Sequence, residues 1–519
     1  MSALGATGGG DRPALPDVVD SATRPLRVHY DGAVVPAERA ELAVAAAEAA
    51  WASQVDGAGF PAPLADDRGF DDDGGDDRLD IYLSPAGPGI GALTISGDDV
   101  DPRDGRAARA AFVRVDPGVD DDVLVVTIHH EFQHAVQFAV DALESPMWFE
   151  STAVAWELRA RPEVDAWQDA LPSFQRQPQA PLSTDALAFA PFATDDGALY
   201  EYGAALFALY VDEVVGDGDG ALLRALWESS AQEQPDNDND NDDDDASAPN
   251  EPDWLDGLRV RIGGEQALRD LLLDFAAWRS LTGPRSVVDD GPPAGWGLDG
   301  RAALGVRALR LDALPGIART TTPAEGPFPL GCATFGGSAA LDVGAPLRIE
   351  AASPAGHPLA IVAVVVDGAG VSRAATRHRS PVGVEVALDV DVGRGADVVL
   401  AVCDVANVDA DAPPAFAPVT LRIARRDAPP GGEGEGEGVG ETQRDPPADG
   451  CDDDAAAADC GCACEHVPAP SSSSPSGNPQ TMRRSMGTVG FLFGAFAFAL
   501  HGWRVWRRRR LYRERSSGR

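Results

Sequence analysis

The chain has 519 residues, too many for one hydrophobic core, so at least two folded regions with tails are expected. Its formal net charge is −41 and all 42 basic residues are arginines. That field repels phosphates, which argues against nucleic acid as a partner and favours a well-hydrated surface.

Residues 1–25 carry neither a basic start nor an apolar run of signal-peptide length, so a disordered N-terminus without an evident export signal is expected. Leu26 to Tyr30, Ala37 to Gln54 and Leu79 to Leu83 then read as strand, helix, strand. Asp66 to Asp77 is rich in Asp and Gly, but its spacing does not match a calcium loop, and a solvated loop is expected.

The most informative stretch is Val123 to Glu150, VLVVTIHHEFQHAVQFAVDALESPMWFE. Its apolar flanks predict one long buried helix with His130, Glu131 and His134 in a His-Glu-x-x-His motif at its centre. Residues four apart share a helix face, so both imidazoles can reach one metal ion while Glu131 lies beside them as a general base for water. Two histidines leave zinc short of a ligand. Downstream, the carboxylates within reach are Asp141, Glu144, Glu150 and Glu157. Glu150 is the strongest candidate, because WFESTAVAWEL joins an aromatic pair to a small-residue helix able to pack closely on the metal helix. Glu157, two turns further along the same face, suits an outer carboxylate that orients a ligand imidazole. For a donor to a developing oxyanion, Tyr202 or Tyr200 in YEYG comes first, and His129 second.

Glu150 to Arg161, Tyr200 to Val214, Leu222 to Trp227 and Gln266 to Ser280 show helical spacing. Residues 235–252, PDNDNDNDDDDASAPNEP, interrupt them as an acidic, self-repelling, disordered loop. From about Leu309 the period changes. Leu347 to Ala351, Leu359 to Val366, Val384 to Val392, Val398 to Cys403 and Val419 to Ile423 are short β-branched runs spaced as in a β-sandwich. Cys332 and Cys403 fall in this module and can pair in an oxidising compartment. Residues 428–485 read as a disordered Gly/Glu-, Cys- and Ser/Pro-rich linker, in which Cys451, Cys460, Cys462 and Cys464 with His466 fit no zinc module and point to disulfides or lipid attachment. Residues 486–503 are apolar except for His501 and long enough to span a bilayer; the arginine-rich residues 504–519 predict a cytoplasmic tail, with the large N-terminal part extracytoplasmic.

HEFQH followed by a Glu-Ser-Thr-Ala helix resembles the gluzincins, thermolysin-like metallopeptidases whose third metal ligand is a glutamate on the next helix. The order LRVHY, LDIYL, TIHHEFQHAVQF, MWFESTAVAWE, YEYGAALF and then β-runs is similar to that of bacterial surface metalloproteases best represented in myxobacteria, over residues 26–425. Ser151 stands where those enzymes have glycine. The resemblance implies Zn2+ on His130, His134 and Glu150, with Glu131 as base. The expected fold class is an α+β zincin-like catalytic domain (26–305) with a mostly helical second half, followed by an all-β sandwich domain (306–427) and a C-terminal transmembrane helix. The expected function is a zinc metalloendopeptidase tethered to the cell envelope and acting on protein or peptide substrates. The alternative is a surface adhesion protein with a structural or idle zinc site, although a structural site has no need of Glu131.

Overall fold

The computed structural model describes residues 12–65, 70, 74–87, 90–97, 108–164, 166–182, 199–231, 252–287, 290–292, 304–308, 314–322, 325–338, 346–367, 373–393, 395–406 and 415–426. All of them lie in one compact unit, Met1–Glu435.

Strands β1 (Asp17–Asp20) and β2 (Leu26–Tyr30) form an antiparallel pair, so the expectation of disorder over residues 1–25 does not hold for 12–25. Helix α1 (Ala37–Trp51) follows, burying Ala40, Ala43, Val44, Ala47 and Ala50 along one stripe and ending in a π-helical turn, Ala52–Gly57. Strands β3 (Leu79–Leu83), β4 (Ala92–Ser96) and β5 (Ala111–Val115) complete a sheet of order β1-β2-β3-β5-β4. Its three inner strands run parallel and both edges run antiparallel. Helix α1 packs on helix α2 (Asp121–Phe138), which also packs against β4 and β5.

Helix α3 (Pro146–Ala160) begins sharply because Pro146 occupies its first turn and the Ser145 side chain caps Trp148 N–H. It packs along α2. Short α4 (Leu171–Arg176), α5 (Tyr200–Gly203) and α6 (Ala205–Tyr210) lead to α7 (Ala221–Ser230), α8 (Trp254–Ile262) and α9 (Glu265–Arg279). The single helix expected over Tyr200 to Val214 is divided into α5, α6 and a π-helical turn, Val211–Val215. At Gly203 a Cβ would lie 2.7 Å from Ala170 O and from Phe174 Cβ, so only glycine permits this approach between α5 and α4.

The remaining strands are β6 (Arg307–Ala308), β7 (Gly316–Thr320), β8 (Cys332–Ser338), β9 (Leu347–Ala352), β10 (Leu359–Asp367), β11 (Ala374–Arg379), β12 (Glu385–Val390), β13 (Asp397–Asp404) and β14 (Val419–Arg425). They form sheets of order β11-β10-β13-β8-β6 and β12-β9-β14-β7, which share one apolar core containing Phe335, Ile349, Ile361, Leu400 and Leu421. Strand β10 is apolar without alternation because both its faces are covered. Ile361, Ala363 and Val365 point into that core, and Ala360, Val362 and Val364 meet Leu273, Ala276 and Ala277 of α9. Cys332 and Cys403 are paired across the β8–β13 ladder and joined by a disulfide.

The fold departs from the expected α+β domain followed by a separate all-β sandwich domain. The described residues form a mixed α/β architecture with three β-sheets, and the helical and β-rich parts belong to one compact unit. Among the described residues no helix is long and apolar enough to cross a membrane. The expected transmembrane segment 486–503, the tail 504–519, the linker 428–485 with its cysteines and residues 235–251 of the acidic loop lie outside the described residues.

Candidate metal centre

Helices α2 and α3 bring three donor atoms together. His130 Nε2 lies 2.9 Å from His134 Nε2 and 3.1 Å from Glu150 Oε2, and His134 Nε2 lies 3.5 Å from the same oxygen. All three side chains are buried.

The surrounding hydrogen bonds determine which ring nitrogens carry protons. Thr152 Oγ1 donates to Trp148 O (2.7 Å), which leaves its lone pairs for Gln137 Nε2 (2.8 Å) and Trp227 Nε1 (3.2 Å). Gln137 Nε2 also donates to Phe149 O at 3.0 Å, so Gln137 Oε1 is oriented as the acceptor that meets His134 Nδ1 at 2.7 Å. On the other ring, His130 Nδ1 meets Glu157 Oε1 at 2.6 Å. Both Nδ1 atoms therefore hold the proton in the neutral imidazoles, and both Nε2 lone pairs converge with a carboxylate oxygen. Such a set can take a cation at its centre. Donors about 2.0–2.2 Å from a tetrahedral ion lie about 3.3 Å from one another, and the observed separations bracket that value. Glu150 Oε1, buried and without a hydrogen-bond partner, is a further sign that this carboxylate serves something other than protein donors. His130, His134 and Glu150 can thus hold a metal ion.

The electrostatics agree with cation binding. Burial works against ionisation of Glu150, but the imidazoles of His134 and His130 outweigh it and hold the carboxyl down to about 2. Burial likewise disfavours a charged His130, yet Glu150 and Glu157 on its two sides raise it well above the ordinary histidine value. The negative potential that favours a proton there favours a metal ion equally. Glu131 is raised by burial, against the pull of His130, His134 and Thr94. Its Oε2 accepts a 2.6 Å hydrogen bond from Thr94 Oγ1, which also bonds Glu131 O at 3.0 Å.

The other candidates divide clearly. Glu157 orients His130, and the Tyr202 ring stacks on that imidazole with centroids 5.9 Å apart and planes 8° apart. Tyr200 is buried elsewhere, with its hydroxyl donating to Pro181 O at 3.2 Å. His129 is buried, which pulls its pKa down to about 4, and its carbonyl is held by Gln54 Nε2 at 2.9 Å. Glu144 accepts from Ser145 N–H and Trp254 N–H, and Asp141 Oδ1 from Leu143 N–H, so neither joins the centre. Thr94, Gln137 and Thr152 hydrogen-bond around the centre without having been among the residues expected from the sequence. Gln137 had a signal, lying three residues after His134 on the same apolar helix. Thr94, 37 residues before Glu131, had none.

Comparison with family models, curated proteins and solved structures finds no match.

Proposed function

We propose that the protein is a zinc-dependent metallopeptidase of the gluzincin type, acting on protein or peptide substrates outside the cytoplasm. The observation that carries this reading is the convergence of two Nε2 lone pairs and the Glu150 carboxylate, with the Glu131 carboxylate held beside them by Thr94. Softness and geometry favour zinc, since two imidazoles and a carboxylate are a common catalytic donor set for that ion. When bound, zinc supplies Lewis acidity that polarises a peptide carbonyl and acidifies water.

The chain's own residues do the rest. Glu131 accepts the proton of the attacking water and returns it to the leaving amine, and Thr94 keeps the carboxylate aimed. Glu157 and Gln137 hold the imidazoles in the tautomer that leaves Nε2 free. Tyr202, stacked on His130, is assigned the donor to the developing oxyanion. A purely structural zinc site fills all four positions with protein ligands, whereas three donors converge among the described residues. The Cys332–Cys403 disulfide supports an oxidising compartment.

The test is metal removal and return. Chelator-treated protein should lose hydrolysis of an unbiased peptide library and regain it with stoichiometric zinc. Cleavage that survives complete metal removal would overturn the reading.

A further inference from the structure

Helix α5 (Tyr200–Gly203) is only four residues long, too short to hold its own place, yet it carries the Tyr202 ring against His130. Residues two apart on a helical turn point to opposite sides, so Tyr200 faces away from the centre. Its side chain is fully buried. The ring packs on Phe174 of α4 with centroids 5.1 Å apart, and the hydroxyl donates to Pro181 O at 3.2 Å. At the other end of α5, Gly203 rests against Ala170 and Phe174. Both ends of α5 are thus held, with Tyr202 between them.

The residues that receive the Tyr200 hydroxyl are themselves held from the β-rich part. Pro178 O accepts from Cys332 N–H at 2.7 Å, and Gln179 O from Phe328 N–H at 3.0 Å. A Cβ at Gly331 would lie 2.3 Å from Gln179 O and 2.7 Å from Ala180 O, so only glycine permits this approach. Cys332 is in turn fixed to β13 by the ladder and by its disulfide to Cys403. Residues 178–182 therefore form a strap gripped by the start of β8 on one side and by Tyr200 on the other. We infer that Tyr200 is a positioning residue for the centre: anchored on this strap, its hydroxyl fixes α5 and with it the Tyr202 ring on His130. The inference rests on the assignment of Tyr202 as donor to the developing oxyanion. Through the strap, the β-rich part contributes to the geometry of the centre.

Tyr200→Phe keeps the ring on Phe174 and removes the hydroxyl alone. In the full chain, kcat for a cleaved peptide should fall roughly five- to tenfold, with KM and metal content unchanged. In a Tyr202→Phe background the same substitution should cost nothing further, because residues that act through one another are not additive. A merely structural role would lower kcat equally in both backgrounds, and that result would overturn the inference. Gly331→Ala should behave like Tyr200→Phe, since the added methyl must displace Gln179 and Ala180. A crystal structure of Tyr200→Phe gives a readout that needs no activity. The Tyr202 ring should leave its stacking on His130, and a ring still stacked there would count against the positioning role. A wild-type protein that cleaves no peptide would end the peptidase reading, and the place of Tyr202 in the variant crystal would still decide this one.

Discussion

The helical and β-rich parts of the chain both bury aliphatic and aromatic side chains, and they differ in what they bury with them. Between Ile128 and Ser151 the core encloses His129, His130, Glu131, His134, Asp141, Glu144 and Glu150. Among the described residues of the two facing sheets the buried charged side chain is Asp404, which His357 Nδ1 meets at 2.8 Å. Burying an ionisable group costs several kcal/mol unless a partner offsets it. One region carries that cost around donors that can hold a metal ion, and the other largely avoids it. Substitutions in the two regions should therefore fail in different ways.

The largest effect on folding should come from the β-rich core. Leu400→Ala removes a fully buried side chain shared by both sheets and should cost about 2–5 kcal/mol in denaturant unfolding, with metal affinity at the centre unchanged. Loss of metal from that variant while it remains folded would show that the two regions are not separable in this way. Glu150→Ala should do the reverse. It deletes a donor, so metal affinity should fall by more than the ~10–100-fold typical of losing an outer partner, and activity should fall with it. Full occupancy in that variant, measured by metal analysis, would mean that Glu150 is not a ligand. The smallest effect should be that of Thr94→Val, which keeps the side chain's shape and removes the donor to Glu131. Turnover should drop at least roughly tenfold, since a hydrogen bond to a charged group contributes about 1.5 kcal/mol or more, with metal content intact.

The same contrast explains how much was legible in the sequence. Helix α2 announces itself because an apolar 3.6-residue pattern surrounds His130, Glu131 and His134, which are buried together with His129, Gln133 and Gln137. Strands β9, β10, β13 and β14 show as β-branched runs, and the unbroken run of β10 reflects cover on both faces. Local pattern fails where long-range packing decides. Strand β4, ALTIS, carries only five residues between breaks, and the importance of Thr94 comes from the sheet placing that edge against α2. The division of Tyr200 to Val214 follows from the approach of α4 to Gly203, which the helical period of that segment does not encode. The mixed sheet was hidden for the same reason, since its strands are only four or five residues long and the parallel pairs β2–β3 and β3–β5 join segments far apart in the chain.

In the proposed mechanism Glu131 acts on water beside a metal that it does not bind. Glu131→Gln retains size and hydrogen-bonding capacity while removing the base. Metal content and peptide-library cleavage measured together on this purified variant give the most direct test. Full metal occupancy is expected, with turnover reduced by at least about 10²-fold. Undiminished cleavage by the metal-loaded variant would contradict it.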